Sequence, residues 1–169
     1  MKLTGIARRS LRYAVGGVVA VMLTTWPASG QDGGEEKAAI AVAGSALAAI
    51  TRGDMTALTD LMLPEAVMFP TSTRDGVTRY RLRTRAEQRA APVTRKVTER
   101  GFRPEARVNG PVAMVWYPYD LYLDGQWSHC GVDVFTLIRT DGQWRIATMS
   151  WSAEQPPACE KHPDGPPKP

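Results

Sequence analysis

Two Asp-Gly dipeptides, Asp124-Gly125 and Asp141-Gly142, stand between runs rich in β-branched and aromatic residues, and they constrain the chain more than any other feature. The tightest hairpin turn needs φ > 0 at both central positions, which Gly adopts freely and Asp tolerates. Asp-Gly between alternating apolar runs therefore predicts a two-residue hairpin. Residues 112–123, 126–140 and 143–152 are expected to form an antiparallel meander. A further strand is expected within 93–108, interrupted at Gly101 or Pro104.

Ahead of the meander the spacing is helical. Residues 35–52 carry Ile40, Ala43, Leu47 and Ile50 at helical intervals, start on the acidic pair Glu35-Glu36 and stop at Gly53. Asp54 suits the N-cap of a short helix over 55–62, closed by Pro64. Residues 66–69 read as a short strand, 71–76 as loop or turn, and 77–82 as a strand. Thr84 and Glu87 have capping-box spacing for a third short helix that Pro92 ends. Helices first and strands after predict an α+β domain, a curved antiparallel sheet with helices packed on one face.

The first thirty residues are of another kind. Lys2, Arg8, Arg9 and Arg12 precede an apolar stretch over 13–23, and Ala28-Ser29-Gly30 offers small residues for cleavage after Gly30. About 11 apolar residues suit a signal peptide and are short for a bilayer span, so no stable membrane anchor is expected; an uncleaved anchor is the alternative. The expected organisation is a signal peptide over 1–30, a linker over 31–34, the folded domain over 35–154 and a Pro-rich tail over 155–169, frayed beyond Cys159. The mature protein is expected to be periplasmic or secreted, with Arg8-Arg9 leaving both general and twin-arginine export open.

Removing that segment changes the charge argument. The chain has 21 basic and 17 acidic residues, and four of the basic ones lie in the first thirty positions with no acid beside them. The remainder is balanced, so nucleic acid is not an expected partner. Basic residues still concentrate over 74–107, eleven against four acids, Arg79, Arg81, Arg83, Arg85 and Arg89 among them. This reads either as a patch for an anionic ligand or membrane surface, or as solvated faces balanced by acids elsewhere. The only two cysteines, Cys130 and Cys159, predict a disulfide in an oxidising compartment, with two unpaired thiols as the alternative.

The hairpins assign faces. Two-residue turns set Leu123 opposite Gln126, Asp120 opposite His129, Trp116 opposite Asp133, and Met114 opposite Phe135. On the last hairpin they set Leu137 opposite Ile146 and Asp133 opposite Ser150. One face then carries Met114, Trp116, Asp120, His129, Asp133, Phe135 and Ser150, apolar at one end and polar at the other, as a sheet-lined pocket requires. The other carries Val115, Tyr117, Tyr119, Leu121, Cys130, Met149 and Trp151. It is also apolar, and a second subunit is its simplest cover, which predicts a homodimer. A bulge at Gly131 would exchange some assignments.

Helices followed by a curved meander resemble the nuclear transport factor 2-like superfamily. The run from His129 to Arg139, the segment Asp141-Gly142-Gln143-Trp144-Arg145-Ile146 and the Trp-Tyr-Pro-Tyr segment 116–119 are similar to the C-terminal strands of its SnoaL-like or lumazine-binding-like branch. The resemblance implies a cone-shaped α+β fold with an internal cavity under the N-terminal helices, often dimeric. It implies no single activity, since this superfold hosts enzymes, carriers and interaction modules. The general base and the tyrosine–aspartate oxyanion hole of the superfamily's ketosteroid isomerase find no named positions here.

The expected function is binding of a small, partly apolar molecule in that cavity by Met114, Trp116, Asp120, His129, Asp133, Phe135 and Ser150. A cofactor-free isomerase or dehydratase using His129 and Asp133, with Asp120 orienting the imidazole, is the enzymatic alternative. His129 reads equally as a hydrogen-bonded structural residue, and a non-catalytic dimeric interaction module is the third reading. Two His residues give no zinc site, and no nucleotide or hydrolase fingerprint occurs, so neither metal nor cofactor is expected.

Overall fold

A computed structural model describes residues 32–168, so the expected signal segment lies outside the described residues. Helix α1 (Asp32–Arg52) is followed by α2 (Met55–Asp60), strands β1 (Met62–Arg74), β2 (Val77–Tyr80) and β3 (Arg83–Thr84), and helix α3 (Arg85–Arg89). Strands β4 (Val97–Gly101), β5 (Glu105–Asn109), β6 (Val112–Leu123), β7 (Gln126–Thr140) and β8 (Gln143–Trp151) complete the domain. The order across the sheet is β2-β1-β8-β7-β6-β4, with β3 on β1 and β5 on β6. Every pairing is antiparallel except β1 with β8. The result is an α+β fold in which a strongly curled, mostly antiparallel sheet wraps the N-terminal helices. No helix among the described residues is long and apolar enough to cross a membrane.

Local chemistry sets the ends of these elements. Asp54 accepts from the Ala57 N–H at 2.8 Å, and Thr84 and Glu87 form the reciprocal capping box. Asp124-Gly125 and Asp141-Gly142 have φ of 53° and 79° and of 52° and 74°, as two-residue hairpins require. A third Asp-Gly pair, Asp75-Gly76, does the same (53° and 73°) and joins β1 to β2, so residues read as loop are a hairpin tip. Pro64 lies inside β1 rather than closing α2, where the β1–β8 register shifts and no ladder N–H is needed. The strand expected over 93–108 divides into β4 and β5 at Phe102-Arg103-Pro104.

Two single-residue bulges decide which side chains face the helices. Leu123 and Tyr122 pair with Gln126 and Trp127 as the turn dictates, but Leu121 pairs with His129, leaving Ser128 extra on β7. Likewise Leu137 pairs with Ile146 while Thr136 pairs with Thr148, leaving Ala147 extra on β8. Beyond each bulge the partner moves by one residue. Asp120 therefore stands opposite Cys130 rather than His129, Tyr117 rather than Trp116 opposite Asp133, and Trp151 rather than Ser150 opposite Asp133.

The inner face thus holds Ala113, Val115, Tyr117, Tyr119 and Leu121 of β6 with His129, Asp133, Phe135 and Leu137 of β7. Trp144, Ile146, Met149 and Trp151 of β8 complete it. Against them packs the alanine-lined face of α1, where Ala39, Ala43, Ala46 and Ala49 are buried and let the helix approach closely. Gly101 serves the same approach, for a Cβ there would lie 2.4 Å from the Tyr117 ring and 2.6 Å from Leu47.

The C-terminal tail is docked, not frayed. The Cys130–Cys159 disulfide ties it to β7, and Glu154 pairs with Cys130 as an isolated bridge. Further along, the His162 N–H donates to Asp120 Oδ2 at 3.1 Å, and Arg100 Nη2 donates to the Gly165 carbonyl at 2.7 Å.

Candidate functional site

Between the sheet's inner face, the α1–α2 corner and the segment after α3 lies a cavity of about 310 Å³. Its walls are mostly apolar, including Met55, Leu58, Met68, Val97, Leu121, Met149 and Trp151, with Arg83, Gln88 and Glu99 as the polar groups that matter below. An apolar hollow of this size with a few convergent polar groups is the general form of a small-molecule site.

Glu99 is the one carboxyl in that wall, and it is buried. It sits on β4 opposite Leu121, and its backbone is pinned to α1: the Thr51 hydroxyl donates to its carbonyl and accepts from its N–H, each at 3.0 Å. Burial raises the Glu99 carboxyl from an ordinary 4.5 to about 7. Behind it lies Asp133, fully buried on β7, whose two oxygens receive no bond from a conventional donor. Its side-chain partner is the Glu99 carboxyl, and burial followed by the Glu99 charge pushes Asp133 well above the usual carboxylate range. Two carboxyls in contact away from water cannot both ionise cheaply, so the pair holds a proton between its members at neutral pH.

Tyr119 and His129 border this pair. The Tyr119 hydroxyl donates to the Ser152 carbonyl at 2.7 Å, and burial with the nearby Asp133 and Glu99 charges holds the phenol neutral. Its oxygen is then free to accept from His129 Nε2 at 3.1 Å, which leaves Nδ1 to accept from the Ser128 hydroxyl at 2.9 Å. Burial lowers the His129 pKa, so the ring is a neutral link in a chain ending on a backbone carbonyl.

The seven sequence-derived site residues separate into two groups. His129, Asp133 and Phe135 face inward, and Phe135 is packed into the hydrophobic core. Met114 and Trp116 are on the outer face, 38% and 46% exposed, and Ser150, opposite Val134, shares it. Asp120 is on that outer side too, buried beneath the tail, where Arg100 Nε and Nη2 grip its oxygens at 2.9 and 2.6 Å. The expected Asp120–His129 dyad is not formed, because the Ser128 bulge puts the two on opposite faces. Glu99 escaped the sequence reading because it stands in a basic run. The signal was period two, which places Glu99 with Val97 on one side of β4 and Arg100 on the other.

This curled sheet with a helix-covered, carboxyl-bearing hollow defines the class of cone-shaped α+β domains called nuclear transport factor 2-like. Within that class the chain belongs to the SnoaL-like domain family, whose profile matches residues 40–156. Among solved structures, it is similar to a nuclear transport factor 2-like protein of unknown function from Pseudomonas putida (12% identity, 80% of this chain and 98% of that one, TM-score 0.58). It is also similar to a cystatin-like-fold protein of the same kind from Novosphingobium aromaticivorans (16%, 70% and 82%, 0.56). A protein of unknown function from Mycobacterium tuberculosis is a third (18%, 70% and 71%, 0.56). At these identities the likeness is one of fold. No curated protein matches the chain.

Proposed function

We propose that this domain binds a small, partly apolar molecule in the 310 Å³ cavity, without a resident cofactor, and that Glu99 meets it as a hydrogen-bonding and proton-exchanging group. The observation that carries this reading is a buried carboxyl poised near neutrality in a mostly apolar wall. A buried acid with no cation beside it destabilises a fold that does not use it. None of the seven residues expected to bind lines this cavity: Met114, Trp116, Ser150 and Asp120 cover or stiffen the outer side, Phe135 packs in the core, Asp133 backs Glu99, and His129 borders a separate depression with Ser128 and Glu154. Export to an oxidising compartment belongs to the same proposal, supported by the disulfide.

The test is titration with N-phenyl-1-naphthylamine, a neutral apolar probe that fluoresces when desolvated. The expected result is saturable one-to-one binding that Val97→Trp abolishes by filling the hollow while the fold persists by circular dichroism. Equal probe binding by both proteins, or none by the parent, sinks the reading.

Proton transfer is the second reading, as a cofactor-free isomerisation or dehydration. Its acid–base group would be Glu99 backed by Asp133, because a pKa of about 7 lets Glu99 both take and return a proton at neutral pH. His129 is already committed to Ser128 and Tyr119.

We further propose that a second copy covers the outer sheet face. Val112, Met114 and Trp116 of β6, which the unbulged register places on the inner face, form an exposed apolar cluster there with Ile138 of the adjacent strand. Light scattering behind size exclusion is expected to give a dimer mass for the parent and a monomer for Trp116→Glu; a monomeric parent refutes the proposal.

A further inference from the structure

The hairpin of β1 with β2 and β3 runs in one unbroken register, Ser72 opposite Arg79, Thr71 opposite Tyr80, and Met68 opposite Arg83. Period two then puts Arg79, Arg81 and Arg83 on one side of it, the side of Met68, which is buried in the cavity wall. Arg83 lines the cavity itself. Arg79 and Arg81 line a depression of about 350 Å³, and the Trp151 side chain borders both hollows. The three arginines thus make a cationic ladder leading to the cavity.

What sets them apart is an unpaired charge at these hollows, for Arg52, Arg74, Arg107 and Arg145 also lack an ion pair among the described residues but line neither one. Arg85 and Arg89 pair with Asp60, Arg95 with Asp124, Arg100 with Asp120, Arg103 with Glu160 and Arg139 with Glu35. Among the described residues Arg79, Arg81 and Arg83 make no ion pair. Glu87, whose carboxyl feels the Arg81 charge, is engaged by the Thr84 N–H and hydroxyl. Arg83 is instead steadied by a neutral group: its Nη1 donates to Gln88 Oε1 at 2.6 Å, while Gln88 Nε2 donates to Met55 Sδ at 3.0 Å. One of five guanidinium N–H groups is thereby used, and the planar fork is fixed with donors to spare. Arg83 stands on β3 beside β1 and Glu99 on β4, with β8, β7 and β6 between β1 and β4 in the sheet order, so the two reach the hollow from different strands.

We propose that the molecule taken by this cavity is an amphiphile bearing a carboxylate, with its anionic end on Arg83 at the mouth and its apolar body against Met68, Met149 and Trp151. This rests on the ligand-binding reading above and gives it a ligand class. A carboxylate matches the guanidinium fork in a bidentate pair and neutralises a half-buried cation that the fold leaves without a counter-charge. The opposite orientation would set it against Glu99. Arg79 and Arg81, in solvent, draw the anion along the hairpin.

The test is isothermal titration with octanoate and with 1-octanol, which share a chain and differ in the head group. Octanoate is expected to bind about tenfold more tightly. Arg83→Gln is expected to bring it down to the alcohol's level while leaving the alcohol unchanged. The double variant Arg79→Gln/Arg81→Gln, at exposed positions that cannot upset the core, is expected to weaken octanoate alone, as is added salt. Equal binding of both compounds to the parent leaves the cavity reading standing and overturns the anionic one. Binding of neither overturns both. Sedimentation with phosphatidylglycerol vesicles without preference for octanoate assigns the ladder to a membrane surface and likewise overturns the proposal.

Discussion

Glu99→Gln is expected to stabilise the protein, and to do so only as the pH rises: little difference from the parent near about pH 4.5, growing to on the order of 3 kcal/mol by about pH 8. In the folded chain burial keeps the Glu99 proton until about pH 7, whereas an unfolded chain releases it at the ordinary 4.5. Between those values the native state binds a proton that the unfolded state has lost, so each step up in pH favours unfolding. Below 4.5 both states are protonated and the slope vanishes; above about 7 both are ionised and the penalty is constant. Asp133 is raised by the same burial and by Glu99's charge, which extends the fall at its upper end. The glutamine also offers an N–H to the Asp133 oxygens that lack a donor.

Other groups titrate with the opposite sign, which is why the difference between the two proteins is the quantity to measure. His129, lowered by burial, loses stability for the fold as pH falls below its ordinary 6.5. Asp60, Glu87 and Asp124, lowered by their hydrogen-bond donors and nearby arginines, do so at more acid pH. All four are common to both proteins and cancel. Denaturant unfolding across this range checks the expectation; parallel stability curves would show that Glu99 holds no raised proton and remove the basis for acid–base chemistry here.

What the sequence disclosed and what it concealed follow from the range over which each signal acts. Turn chemistry is local, so Asp124-Gly125 and Asp141-Gly142 announced the meander, and Thr84 with Glu87 announced α3. Asp75-Gly76 carries the same dipeptide, but Thr71-Ser72-Thr73-Arg74 before it is polar where a strand signal needs alternating apolar residues, so its hairpin is not legible. Bulges have no such signature. Ser128 and Ala147 are ordinary residues in ordinary strands, yet each reverses the facing of everything beyond it relative to its neighbour strand. That reversal exchanged Trp116 and Met114 for Tyr117 and Tyr119, and carried Asp120 away from His129. Asp133 was found because it lies inside an apolar strand where a carboxylate is conspicuous. Glu99 was hidden because four basic residues lie within five positions of it, Arg95, Lys96, Arg100 and Arg103.

The second large effect concerns the tail. Cys130→Ser/Cys159→Ser is expected to lower unfolding stability by about 3.6 kcal/mol, the loop-entropy value for a closed loop of about 30 residues. The loss has a second source in this fold. The disulfide holds down the segment whose His162 N–H and Gly165 carbonyl complete the hydrogen bonding of the Arg100–Asp120 pair. Phe102 meets the His162 ring edge-on at 5.3 Å, and Lys161 Nζ sits 4.4 Å from the Trp127 centroid. Freed of its covalent tie, this strap of prolines and polar residues buries too little apolar surface to stay docked. Asp120, now 1% exposed at its side chain, would return to water with Arg100, and the outer end of β4 and β6 would lose its cover. The double serine variant should therefore show early amide exchange at the His162 N–H and at Phe102, beyond the fall in midpoint. The inner face, reached from the other side of the sheet, should bind N-phenyl-1-naphthylamine as before wherever the variant is folded. A variant as stable as the parent, with the His162 amide still protected, would show that the strap is held by its own contacts and that the cysteines add nothing to them.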